Sequence, residues 1–169
     1  LGDLLAHEGL SGTSTPGAAV SSFVDIHKRS NNNAFDFFSG VATFENTGVL
    51  LPLRSEAEIL YYQYLQSVNP VAHVLHIPSF KRMFDSFWDN ADSGRSNSGP
   101  RTALVLAVCM SAACSMSTLQ TQTQFGVDQE ILYNQLKAST EAAFRKWNCL
   151  SSSSIQSLQA FTIYLVNHL

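Results

Sequence analysis

Apolar residues recur at helical spacing in several separate stretches of the chain, and turn-forming residues set each stretch off. After Pro52, Ala57, Leu60, Tyr61, Tyr64, Leu65 and Val68 fall on one face, with Ser55 and Glu58 in capping-box spacing, so a helix is predicted over 55–68. Pro70 should end it by pushing Asn69 out of the α region. Pro78 can open a second helix, on which Phe80, Met83, Phe84 and Phe87 form a stripe with Trp88 beside it.

The run NADSGRSNSGP, 90–100, reads as an exposed loop because it is dense in turn residues. A third helix, 102–116, is apolar nearly all round and rich in Ala and Ser, the pattern of a central element approached closely by its neighbours. Asp128 can cap a fourth, which carries Ile131, Leu136, Ala143, Phe144 and Trp147 and ends near Asn148. Ser153 and Gln156 have capping-box spacing for a fifth, with Ile155, Leu158, Phe161, Leu165 and Leu169 along one side. That stripe is still running at the last residue, which suggests truncation or the edge of an ordered region. The expected fold class is all-α, an irregular multi-helix bundle forming part of a larger helical domain.

Residues 1–48 differ in character. They are rich in Gly, Ser, Thr and Asn, which is linker chemistry. One short helix is predicted there, with Thr15 capping, Pro16 in its first turn and Val20, Phe23, Val24 and His27 on a stripe. The aromatic stretch 34–48 reads as extended chain on the core. The domain division is therefore a linker-like segment, 1–48, and a helical core, 49–169, incomplete at its C-terminal side.

Composition narrows the function classes. Apolar residues make up 45% of the 169 and charged residues 14%, enough for a substantial core. The net charge is −3, with only ten Lys and Arg, the wrong balance for gripping a phosphate backbone, so direct nucleic-acid contact is not expected. The most apolar run, 103–114, is shorter than the roughly 20 residues that span a bilayer, and no membrane partner is expected. Cys109, Cys114 and Cys149 form no CxxC pair and read as reduced, mostly buried thiols in a reducing compartment. The chain has no initiator Met and no signal-peptide pattern, so it is expected to begin inside a longer protein.

Candidate chemistry is sparse. His73 and His76 form an HxxH pair, but Pro70 and Pro78 bracket too short a segment for a metal-binding helix, and no acid or cysteine sits at a motif-like offset. A structural role, with the imidazoles bonded to backbone at a corner, is the favoured reading. Neither GxSxG nor a phosphate-binding glycine pattern occurs, so no catalytic, cofactor or metal residue is assigned. Asn69, Pro70, His73, His76, Pro78 and Phe80 are candidates for the structural corner. Tyr61, Tyr64, Phe84, Phe87 and Trp88 are candidates for core or for the lining of a pocket between helices.

Three stretches together carry a likeness: LLPLRSEAEILYYQYLQSVNPVAHVLHIPSFKRMFDSFW, then ALVLAVCMSAACS, then AAFRKWNCLSSSSIQSLQAFTIYLV. Over most of 50–166 the chain resembles the regulatory middle homology region of fungal zinc-cluster transcription factors, in which a helix ends in an xxNPxxHxLHxPxF corner. The resemblance implies a non-enzymatic, all-helical domain that regulates a DNA-binding module elsewhere in a nuclear protein. It also implies zinc only in that module, since the six-cysteine cluster is absent here. Candidate partners are the rest of the same regulator, a second copy or a coregulator, and a small-molecule effector that the sequence does not identify. The alternative is a helical protein–protein assembly scaffold without ligand sensing. A third class, an enzyme working through His73 and His76, requires both rings to share one cleft.

Overall fold

The computed structural model describes residues 48–167, apart from the side chain of Leu150. The short helix expected near Pro16, the stretch 34–47 and Leu169 lie outside the described residues. Within them the protein is all-α. The elements are α1 (Arg54–Gln63), continued by a wider π-helical turn (Tyr64–Val68), α2 (Ile77–Asp92), α3 (Gly99–Ser115), α4 (Thr118–Phe125), α5 (Gln129–Lys146), a 3-10 turn (Cys149–Ser151) and α6 (Ile155–Val166).

The apolar helix α3 is the axis of the bundle. Every residue from Thr102 to Ala113 is buried, and the helix packs against α1, α2, α5 and α6. Burial on all sides is what an all-round apolar helix requires. Its start lies three residues earlier than the sequence suggests. Pro100 fits the first turn, where a missing N–H costs nothing, and Gly99 is needed because the Trp147 ring lies against it. A Cβ built on Gly99 would stand 2.0 Å from Trp147 Cγ.

α1 and α2 are joined by an aromatic seam. Tyr61 stacks on Phe84 with centroids 5.3 Å apart, and Phe84 and Phe87 meet the Trp88 ring edge-on. Outside the seam, Arg54 of α1 reaches Asp89 Oδ1 at 3.0 Å and Asp92 Oδ2 at 2.8 Å on α2, and it also pairs with Glu58. The carboxylate hydrogen bonds hold the Arg54 guanidinium firmly protonated. The cap of α1 is displaced from the expected Ser55–Glu58 pair: Leu53 donates its N–H to Glu56 Oε2 at 2.8 Å. Burial pushes the Glu56 carboxyl up, and this backbone bond partly offsets the shift.

The loop after α2 is mostly exposed, but Asn97 is buried. Its amide donates to the Phe87 carbonyl at 2.9 Å, which ties the loop to the C-terminal half of α2. α4 is absent from the five-helix pattern read in the sequence. Its polar composition gives no stripe, and Thr121 is its one buried residue. Ser117 and Gln120 nonetheless make a reciprocal capping box, and Gly126, at φ +71°, closes the helix in a left-handed conformation. On α5 the inward positions are Leu132, Leu136 and Ala143, whereas Ile131 is exposed.

α6 docks on α3 and α5 through a face the sequence stripe does not show. Ser157, Ala160 and Ile163 are buried, while Phe161 and Tyr164 meet the Phe144 ring edge-on. Tyr164 also donates to Glu141 Oε1 at 2.6 Å. Of the expected stripe Phe161 alone turns inward among the described residues, and the others face outward: Ile155 is 65% exposed, Leu158 63% and Leu165 45%. Both sides of this helix are apolar, so periodicity alone could not choose between them.

Candidate functional site

The segment between α1 and α2 turns the chain by local hydrogen bonds. The π-helical turn widens the last coil of α1 until Asn69 N–H reaches the Tyr64 carbonyl at 2.9 Å. Asn69 itself stays in the α region at φ −58° and ψ −36°, contrary to the expected extended conformation. The helix therefore stops because Pro70 offers no N–H, not because its ring forces Asn69 outward. Val71 and Ala72 fold back to the Val68 carbonyl at 3.0 and 2.9 Å.

The backbone of His76 is extended at φ −80° and ψ 98°, and its carbonyl receives the N–H groups of Ser79 and Phe80 at 3.0 Å. This makes His76 the cap of α2, with Pro78 in the first turn and Phe80 buried in the aromatic seam. The His76 ring lies over that turn, with Nδ1 2.9 Å from Ser79 Oγ, so its partner is a hydroxyl and not backbone. Arg82 donates to the same Oγ at 3.4 Å. His73 is exposed, and its ring has no hydrogen bond among the described residues.

Across the corner, Gln159 of α6 donates its amide to the Val74 carbonyl at 3.2 Å, joining segments 85 positions apart. Between them lies a half-open cavity of about 300 Å³. Leu75, Phe80, Met83, Leu104 and Ile155 form its apolar walls, and His76, Ser79, Gln156 and Gln159 supply the polar groups. The aromatic residues singled out in the sequence lie elsewhere: Tyr61, Tyr64, Phe84, Phe87 and Trp88 are all buried in the core. Met83, Leu104, Gln156 and Gln159 carried no signal of a cavity, because only the fold brings α6 over the corner.

Among the described residues no three His, Cys, Asp or Glu side chains cluster as metal ligands would, and no helix is long and apolar enough to cross a membrane. Cys109 is buried, and desolvation pushes its thiol up to about 12, far from a nucleophile's range. Cys149 is also buried and its thiol is raised by burial, whereas Cys114 is exposed. The arrangement offers packing surfaces and a small cavity.

Three relatives align with the chain over parts of their length. The aurofusarin cluster transcription factor of Gibberella zeae is 24% identical over 155 residues, which cover 92% of this chain and 20% of that protein. The C6 finger domain transcription factor nscR of Arthroderma gypseum is 33% identical over 103 residues, 61% of this chain and 15% of that protein. The C6 finger domain transcription factor adaR of Aspergillus niger is 34% identical over 106 residues, 61% of this chain and 13% of that protein. The chain is homologous to a segment of fungal C6 finger transcription factors. It spans a fifth or less of the length of these relatives. No family profile and no solved structure matches it.

Proposed function

We propose that this helical segment is a regulatory domain of a fungal C6 finger transcription factor, acting in the nucleus on a DNA-binding module elsewhere in that protein. Its own means are packing and not catalysis. The observation that carries this reading is the outward face of α6, where Ile155, Leu158, Leu165 and Val166 are exposed on a helix with no charged residue. Large apolar side chains aligned on one exposed face mark an interaction surface. That face supports docking on the rest of the regulator, with a second copy or a coregulator as the competing occupants.

The corner formed by Asn69, Pro70, His73, His76, Pro78 and Phe80 serves in this reading as architecture. It directs α1 and α2 so that the seam can form, and it meets α6 through Gln159. A small-molecule effector would act by binding one packing arrangement better than another. The scaffold reading, assembly without sensing, relies on the same α6 face and makes no use of the cavity beside the corner.

The test is a reporter assay in a fungal host. The 169-residue chain is fused to a heterologous DNA-binding module, and transcription is compared with that module alone. A change in output in either direction supports regulation. Unchanged output from a folded, nuclear fusion removes it.

A further inference from the structure

The cavity beside the corner has a chemistry of its own. No Asp or Glu lines it, and five of its nine lining residues are apolar: Leu75, Phe80, Met83, Leu104 and Ile155. The polar remainder gathers around the corner and the first turns of α6. Gln156 accepts a bond from Ser154 Oγ at 2.6 Å through Oε1, which leaves its amide N–H groups available. Ser79 Oγ lies between His76 Nδ1 at 2.9 Å and the Arg82 guanidinium at 3.4 Å. Arg82 makes no ion pair among the described residues, so its charge is uncompensated where it meets a lining residue.

We infer that this cavity binds a small monocarboxylate with a compact apolar body, the body against Met83, Leu104 and Ile155 and the carboxylate toward Ser79 and Arg82. The size of the site decides the size of the ligand. About 300 Å³ is the lower end of the range for small-molecule sites and suits roughly ten to fifteen non-hydrogen atoms. The charge follows from the lining. An ammonium group would meet no carboxylate and would face Arg82, whereas a carboxylate gains charge-assisted hydrogen bonds. A guanidinium bonded to a lining hydroxyl is suited to a planar carboxylate. Ligand here would touch both α2 and α6 and so favour the arrangement in which they are held together. The inference rests on the effector version of the function proposed above and gives it a place and a ligand class.

The experiment is a titration of the full 169-residue chain, carrying methyl-labelled Met and Ile, with 2-naphthoate and with 2-naphthylmethylammonium as the cationic counterpart, followed by NMR. For a ligand of this size a Kd on the order of 1 mM is expected for naphthoate, with shifts at Met83 and Ile155. The cation should bind at least tenfold more weakly. Arg82→Gln, at an exposed position, should weaken naphthoate severalfold without moving the unfolding midpoint. No shift at these methyl groups with 10-fold excess over that Kd, equal binding of the cation, or full affinity in Arg82→Gln would overturn the inference. The reporter fusion keeps the two readings apart: a transcriptional response without naphthoate binding sinks the cavity alone, and binding without a response sinks the regulatory role alone.

Discussion

Gln159 Nε2 and the Val74 carbonyl lie 3.2 Å apart, and this bond fastens the final helix to the corner between the first two. Gln159→Leu should therefore lower stability by about 1 kcal/mol, the usual worth of one such bond, and speed hydrogen exchange at Ala72 and Val74, whose N–H groups are bonded within the corner. The check is urea unfolding with exchange measured by NMR. An unchanged midpoint with unchanged exchange would mean that α6 does not hold the corner.

Gly99 fits against Trp147 because it has no side chain. Gly99→Ala should cost about 1–3 kcal/mol, as overpacking does in a filled interior. Combined with Trp147→Ala, the Gly99 change should cost much less than it does alone, because the obstructing ring is gone. Strict additivity of the two losses in a double-mutant cycle would refute the contact.

Tyr64 is fully buried, its hydroxyl has no hydrogen-bond partner among the described residues, and desolvation pushes its pKa up to about 12. A phenol whose folded-state pKa exceeds the ordinary 10 ionises first in the unfolded chain, so it leaves stability independent of pH below 10 and lowers it as pH rises through 10 toward 12. Cys109, raised from 9 to about 12, acts with the same sign over a wider range. Tyr64→Phe should retain more stability than the parent at pH 11. At pH 7 it should be unchanged or gain about 1 kcal/mol, because an unpaired buried hydroxyl is removed. Thermal melts from pH 7 to 11 decide the matter, and equal alkaline losses would contradict it.

The three cysteines differ in access. Brief iodoacetamide treatment of the native chain should label Cys114 and leave Cys109 and Cys149 protected until denaturant is added. Peptide mass spectrometry reads the result. Rapid native labelling of Cys109 would show that α3 is not an enclosed axis.

The all-α architecture, the central place of the Ala-rich helix and the α2 stripe were legible because each has a strong period and clear punctuation. Phe80, Phe84 and Phe87 all point inward as their spacing requires. α4 escaped because recognition by apolar period is blind to a helix with a single buried residue, although Ser117, Gln120 and Gly126 mark both its ends. α6 was found but turned the wrong way. With Ala160 and Ile163 on one side and Leu158 and Leu165 on the other, only the neighbouring surfaces of α3 and α5 decide which side is covered. The cavity was invisible for a related reason, since Gln159 and Met83 become neighbours of one space only after tertiary packing.

The central claim is that the uncovered side of α6 is the surface through which the segment regulates. Its most direct test is the reporter output of the DNA-tethered chain carrying Leu158→Glu together with Leu165→Glu, measured beside the unfolding midpoint of the same variant. Both side chains face solvent, so the midpoint should stay where it is while the transcriptional response is lost. A full response from a variant with two charges on that face would contradict the account.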